Sequence, residues 1–422
     1  MPSTGGLVNT SPILKPDWVD GVFDAYIPDA KVYMLEPYFP NEGLETKTVK
    51  WDERSVMNYG LTMPVAPMAE SPIIQGGEVR QFEMEPAHFR EKYVLREDEI
   101  TAIRQLGTAS ETASASNLVA TILNWGRGRI QDRMAKMRWD VMDGQIVISQ
   151  NNVNINVPFN LAPYLDITLT GANKWDAPAT AQPINDIINM TTTTRGFGFD
   201  YGLMVMNSET ARVALQIQQF STLFSGAVQG GALNIGLKTM DALNRILQLN
   251  VPGMPPILVY DGMWRETQPL TADAAAAATT IVVDDVTNFT VGQTITIHHK
   301  TTLDTQSLLL DGVTAATKTL SFTTTPLTVG YVAGSHVRLA QSFIKDGVVF
   351  FLPGLGGRIP SIGKMFMTPT PYLGGLDNQT AGMFAVVHDF ENGDPPRREL
   401  IFGFSGMPVP LIRNTWAKLT VY

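Results

Sequence analysis

The feature that most constrains this fold is an interruption. Residues Pro256 to Trp264 (PILVYDGMW) read as an apolar strand ending in a turn, and Phe343 to Pro353 (FIKDGVVFFLP) reads as its return strand. Residues 271–340 between them have another character. They are rich in Thr, Ala and Val, hold no Trp, and carry runs such as Thr280-Ile281-Val282-Val283 and Gln293-Thr294-Ile295-Thr296-Ile297 broken by Asp-Asp, Gly and Pro. This is the spelling of an all-β module inserted into a hairpin.

The chain has 422 residues, 44% of them apolar and 17% charged, which is the balance of a well-packed protein of two or three domains. It contains no cysteine, so disulfides, thiolate metal sites and Cys nucleophiles are excluded together. No apolar run approaches the roughly 18 residues that span a bilayer, and the first residues (MPSTGG) lack the basic start and apolar block of a signal peptide, so neither a membrane segment nor export is expected. A net charge of −9 speaks against a surface built to grip phosphates.

The first fifty or so residues are punctuated by Pro16, Pro28, Pro37 and Pro40 among the aromatics Trp18, Phe23, Tyr26, Tyr33, Tyr38 and Phe39. Proline at this density interrupts helix and sheet, so the aromatics find burial only against another surface, either the chain's own domain or a neighbouring subunit. Residues 1–52 are read as an N-terminal arm. Residues 53–95 are read as an extended hairpin loop whose reversal is Ser71-Pro72-Ile73-Ile74-Gln75-Gly76-Gly77-Glu78-Val79-Arg80, the paired glycines permitting a tight turn. An ordinary hairpin inside a compact domain is the plainer alternative. The candidates for an assembly interface are Ser71, Pro72, Ile73, Ile74, Gly76, Gly77, Glu78 and Arg80.

A short helix, Glu97 to Leu106, precedes a long one in which Leu118, Ile122, Trp125, Ile130, Met134, Met137 and Val141 recur at helical steps. Arg127, Arg129, Arg133, Lys136 and Arg138 fall largely off that stripe and read as a solvated face. Gly126 and Gly128 each cost the helix roughly 0.8 to 1.0 kcal/mol against Ala, so they mark a bend or a close approach. Strands follow at 145–149 and 166–170, then a helix opened by Pro183. The strand Gly202 to Met206 runs into the capping sequence Asn207-Ser208-Glu209-Thr210 and a helix lined by Val213, Ile217 and Phe220. A last helix lies near 239–249, and the order of elements is α+β.

No catalytic constellation emerges. His298 and His299 are adjacent in an expected strand and so point to opposite faces, poorly placed to share a metal. Gly403-Phe404-Ser405-Gly406 departs from the G-x-S-x-G elbow. Gly357 to Lys364 has the wrong spacing for a phosphate loop, and Met365 stands where Ser or Thr would meet magnesium. No catalytic, metal or cofactor site is expected, and the chain is not expected to be an enzyme.

The order of pieces resembles the major capsid proteins of tailed bacteriophages, in particular the phage lambda major capsid protein family with its Hong Kong ninety-seven type fold. Ser71 to Ile74 with Gly77 to Val79 looks like that family's extended loop, and Pro86 to Val94 like the return limb. Gly202 to Ala211 looks like its strand-turn-helix, and Ile257 to Trp264 like a later strand and turn. Gly393-Asp394-Pro395, Arg397, Ser405 and Pro408 look like the approach to the C-terminal strands. The inserted module departs from the pattern. The resemblance implies a peripheral domain with a spine helix at 96–180, an axial domain formed by 181–270 and 341–422 together with the C-terminal strands of the peripheral domain, and an inserted β-domain at 271–340. That domain would stabilise contacts between capsomers, project outward or bind sugars. The implied function is an icosahedral shell of pentamers and hexamers around packaged double-stranded DNA, assembled in the host cytoplasm with scaffolding, portal and decoration proteins as partners. A cellular encapsulating compartment and a carbohydrate-binding or processing protein centred on the β-module remain as alternatives.

Overall fold

The computed structural model describes residues 33–55, 79–95, 110–150, 153–195, 200–229, 240–250, 253–302, 304–356, 359, 361–370, 381–390 and 397–422. In chain order the elements are β1 (Asn41–Gly43), β2 (Val49–Ser55), β3 (Val79–Met84), β4 (His88–Leu95), α1 (Ser110–Asp143), β5 (Gln145–Gln150), β6 (Val153–Pro158), β7 (Asp166–Thr168), α2 (Pro183–Arg195), β8 (Tyr201–Met206), α3 (Ser208–Gln216), α4 (Gln218–Gln229), α5 (Met240–Asn250), β9 (Ile257–Val259) and β10 (Met263–Pro269). They continue as β11 (Thr280–Val282), β12 (Thr294–His298), β13 (Thr305–Leu309), β14 (Gly312–Thr314), β15 (Thr319–Ser321), β16 (His336–Ser342), β17 (Val348–Pro353), β18 (Gly363–Met367), β19 (Met383–Phe390), β20 (Arg397–Pro410), β21 (Ile412–Arg413) and β22 (Ala417–Thr420). The fold is mixed α+β.

The chain divides into two compact units. One comprises residues 1–145, 158–260 and 346–422, and the other 146–157 and 261–345.

The first unit holds the β2-β3 ribbon with β21 at its end and two five-stranded sheets. One runs β7-β22-β17-β8-β9. Its strand β8 pairs parallel with β9, and a parallel neighbour requires a crossover, which α3, α4 and α5 provide. Asn207 caps α3 by accepting the amide of Thr210 at 2.8 Å. The helix expected to carry Val213 through Phe220 is broken at Ile217, whose backbone is extended, so α3 and α4 are separate. Trp175, Ile187, Met204, Phe220, Leu243 and Phe351 join the core on this sheet.

The expected hairpin between 256–264 and 343–353 does not form. β17 is buried along its whole length and so takes a partner on each side, β22 and β8; β9 lies beyond β8. The hairpin partner of the turn at Gly262 is instead β16, which pairs with β10 from Met263↔Ser342 to Pro269↔His336. The closure of the insertion is thus at Gly262 and Phe343, where the Phe343 amide donates to the Gly262 carbonyl at 3.0 Å.

The other five-stranded sheet of this unit is organised by β20. β4 and β19 both pair with it along residues 397–405, β18 takes residues 406–410, and β1 adds to β18 in parallel. The aromatics Tyr33, Tyr38 and Phe39 at the described end of the expected arm are buried within the chain itself, with the Tyr38 carbonyl accepting from Ile362 and Gly363. Trp18, Phe23 and Tyr26 lie outside the described residues, as does the short helix expected at 97–106.

The second unit contains a four-stranded sheet, β10-β16-β12-β13, and a three-stranded one, β11-β15-β14. Ile281, Ile295, Ile297, Leu308, Leu320, Phe322, Val337 and Leu339 are buried in it. Strict alternation puts the apolar residue of each pair inward, as a half-buried strand requires.

Candidate functional site

Three features bear on function: a two-stranded ribbon, a long helix and the strand on which that helix lies. The ribbon is β2 against β3, registered from Val49↔Met84 to Arg54↔Val79. Trp51 stacks on Phe82 with centroids 5.3 Å apart, and Lys50 pairs with Glu83 at 3.1 Å. Its base is held by β21, parallel to the end of β2. Of the expected interface residues, only Arg80 is described; it is exposed in β3 opposite Glu53. Ser71, Pro72, Ile73, Ile74, Gly76, Gly77 and Glu78 lie outside the described residues.

Helix α1, 34 residues long, touches both five-stranded sheets of its unit. Its middle lies on β4 and β20: Trp125 meets Phe402 edge to face, Arg129 forms a bidentate pair with Glu91 at 2.6 Å, and the Arg133 guanidinium sits 5.3 Å from the centre of the Phe89 ring. The C-terminal end turns to the other five-stranded sheet. Trp139 contacts Tyr260 and Phe350, the Trp416 indole donates to the Met142 carbonyl at 3.2 Å, and Lys418 pairs with Asp143 at 2.8 Å.

This double engagement corrects the reading of the helix's bases as a solvated face. Arg138 is only 3% exposed; its Nη2 donates to Asn41 at 2.8 Å, and burial lowers its guanidinium to about 10 against an opposing pull from Glu36. Its Nε has no hydrogen-bond partner and lines, with Gln131 and Glu36, a cleft of about 180 Å³. Lys136 pairs with Asp140 one turn on at 2.9 Å. The signal for Arg138 was present in the chain: it stands four residues after Met134 and between Met137 and Trp139, all buried. Trp125, by contrast, was expected on the buried stripe and is 53% exposed, covered on one side by Phe402 and by the Arg129 guanidinium 4.9 Å from its ring centre.

Gly126 is a close approach. A Cβ there would stand 2.9 Å from the Phe402 ring. Gly403 and Gly406 obey the same logic, since a Cβ would meet the Phe89 carbonyl oxygen at 2.2 Å and the Phe366 carbonyl oxygen at 2.3 Å. The Gly403-Phe404-Ser405-Gly406 string therefore allows neighbouring backbones to press on β20. Ser405 is fully buried and shares a 2.7 Å hydrogen bond with Thr368. His298 is at the end of β12, while His299 leaves the strand and its Nδ1 accepts the amides of Thr301 and Thr302. Among the described residues no three His, Asp or Glu side chains gather as a metal site, and no helix is long and apolar enough to cross a membrane.

Residues 25–240, a little over half of the chain, match the model of the family described as phage major capsid protein E. No curated protein matches the sequence. Solved structures that resemble the chain include a phage-related protein from Bordetella bronchiseptica RB50 (9% identity, TM-score 0.46, covering 96% of this chain and 96% of that one) and a prophage protein from Escherichia coli CFT073 (12%, 0.48, 97% and 99%). A third is the mature capsid of bacteriophage PhiM1 (7%, 0.40, 92% and 86%). The family match, rather than these likenesses, carries the assignment.

Proposed function

The chain belongs to the phage major capsid protein E family and is a major capsid protein; from that premise we propose that many copies close into an icosahedral head, as pentamers and hexamers, around packaged double-stranded DNA. The observation that carries the reading is the family match over residues 25–240. In this reading α1 is the spine of the peripheral domain, and β2 and β3 are the root of an extended loop whose tip, Ser71 to Arg80, reaches a neighbouring subunit. The β7-β22-β17-β8-β9 sheet with α2 to α5 forms the axial domain, and the inserted β-domain belongs to the head surface. Gly126 and Gly128 remain candidates for a change of helix bend between an early and a mature shell.

The physics supports a structural role. A ribbon that carries Trp51 on Phe82, itself 41% exposed, gains by burial against another subunit, and closed symmetry gives every copy the same gain. An excess of acids over bases, 40 against 31, keeps the wall from adsorbing DNA phosphates. Assembly in the host cytoplasm, with scaffolding, portal and decoration proteins, completes the proposal, and no catalytic role is assigned.

The test is assembly in the presence of the head-assembly factors of the same phage. Particles seen by electron microscopy for the wild type, and soluble folded subunits but no particles for Ile73→Asp/Ile74→Asp, are the expected results, because an uncompensated charge is expelled from an interface. A small monodisperse species from the wild type under those conditions would falsify the shell reading.

A further inference from the structure

The second unit carries a surface whose charge is opposite to that of the chain. In the sheet β10-β16-β12-β13 the register sets which side chains share the outward face. His336 pairs with His298 and Arg338 with Thr296; Thr296 pairs with Ser307, and Arg265 stands on β10 with the same parity as these residues. The four strands contain one carboxylate, Glu266, and it has the opposite parity, accepting from Gln268 at 2.8 Å and from Asn288 at 2.7 Å. The outward face therefore holds two guanidiniums and two imidazoles among hydroxyls and the exposed apolar side chains Met263 and Leu309, and no acid.

Arg265, Arg338 and His336 are exposed, and neither arginine has an ion-pair partner among the described residues. The imidazoles show the same one-sided environment. His298 is lowered by desolvation, then by Arg338 and His336, and His336 by desolvation, then by Arg338 and Lys300; no carboxylate pulls either one back up. Two unpaired guanidiniums gathered on one sheet face cost energy in the free subunit and lose that cost when carboxylates are brought to them.

We propose that the outward face of β10-β16-β12-β13 docks on an acidic surface of a second copy of this chain, with Arg265 and Arg338 as the groups that take its carboxylates. The inference rests on the many-copy assembly proposed above. Charge complementarity selects the occupant. The chain carries a net charge of −9, so a neighbouring copy offers acids in excess. Two guanidiniums with two imidazoles match one or two carboxylates rather than a phosphate backbone, which is held by six to ten basic contacts in proteins that grip it. The face also has no aromatic side chain on which bases or sugar rings would stack.

The absence of cysteine makes the test direct. Full-length Thr296→Cys, and separately Ser307→Cys as a second position, would be labelled with a thiol-directed photo-crosslinker, assembled and irradiated, and the adduct identified by mass spectrometry. The expected result is a cross-link to an Asp- or Glu-containing peptide of a second copy, weakened by rising salt and lost in Arg265→Glu/Arg338→Glu. Adducts to nucleic acid, to another protein, or to neither in particles that microscopy shows to be intact would overturn the proposal while leaving the shell reading standing. If no particles form from the unlabelled wild type, the shell reading fails and this inference fails with it.

Discussion

The sheet built on β20 and the four-stranded sheet of the inserted unit are both largely antiparallel, yet they are specified in opposite ways. In β10-β16-β12-β13 each strand has a wet face and a dry one, so apolar and polar residues alternate and single polar substitutions on the wet face have little to disturb. In β20, residues 399–410 are buried on both faces, and Gly403 and Gly406 are set by how near Phe89 and Phe366 come. A strand covered on both faces tolerates change only where its neighbours can withdraw.

The sharpest way to break this comparison is to add one methyl group to each sheet. Gly403→Ala must push the Phe89 carbonyl from 2.2 Å, and β4 cannot retreat without loosening the ladder that runs from Ser405↔His88 to Arg398↔Leu95. A loss of about 3 kcal/mol is expected, the upper end for overpacking, read as a fall in the denaturant midpoint or as insoluble protein. Thr296→Val on the outer face of β12 should stay within about 0.5 kcal/mol of wild type. Equal effects at the two sites would show that burial on both faces is not what makes β20 intolerant.

The same contrast decides what was legible in the sequence. The inserted unit announced itself because Gln293 to Ile297 and Thr280 to Val283 spell the period of two without competition. β17 also read as a strand, but its partners did not, since Val348 to Pro353 carries no polar residue to say which neighbour lies on which side. The hairpin with β9 was the local choice, and the crossover through α3 to α5 overruled it. β20 was hidden by its own chemistry: Gly403, Gly406, Pro408 and Pro410 are strand breakers by propensity, and here the glycines admit neighbouring backbone. On α1 the stripe was correct in its second half and misleading for Arg138, because at that turn β1 covers the side of the helix on which the base stands, and Arg138 donates to Asn41 there. The ribbon's register was not readable, and its limbs were misplaced: β2 begins at Val49, inside the expected arm, and Pro86 to Val94, expected as the return limb, falls largely in β4, which pairs with β20 instead.

Removing the inserted unit measures how separable the two regions are. We propose that the structural domain is closed at Gly262 and Phe343, so replacing 263–342 by a short Gly-Ser linker should leave the first unit folded, because loop closure grows slowly with length and β9 and β17 keep β8 between them. Excision of 271–340 alone should do worse, since it strands β10 without most of β16. Circular dichroism and a thermal melt check both; a first unit that unfolds in the 263–342 replacement as well would show that the module is part of its core.

A smaller effect is expected at Gly126. Alanine there gains about 1 kcal/mol of helix propensity and must displace the Phe402 ring from 2.9 Å, a repacking of about 1 to 3 kcal/mol. The net should be a modest destabilisation that Phe402→Leu relieves. A stabilised subunit whose particles stall in one form would instead favour the bend.

The smallest effect is a titration, and its sign separates the free subunit from the particle. His298 and His336 are both lowered, by desolvation first and then by Arg338, with His336 acting on His298 and Lys300 on His336. A histidine lowered in the folded state binds fewer protons than in the unfolded chain, so stability rises with pH across its window. The contribution is present above the unfolded value near 6.5 and is lost as pH falls toward the lower folded value. Free subunits should therefore melt at a lower temperature at pH 5 than at pH 7, and His298→Gln/His336→Gln should flatten that difference. In particles the same protons would meet the carboxylates of the neighbouring copy, so acid should strengthen the cross-link at Thr296→Cys over the range in which it weakens the free subunit. Parallel loss of stability and of cross-linking on acidification would mean that no acidic group faces the two histidines, and the comparison between a crowded β20 and an open, unpaired sheet face would lose its functional half.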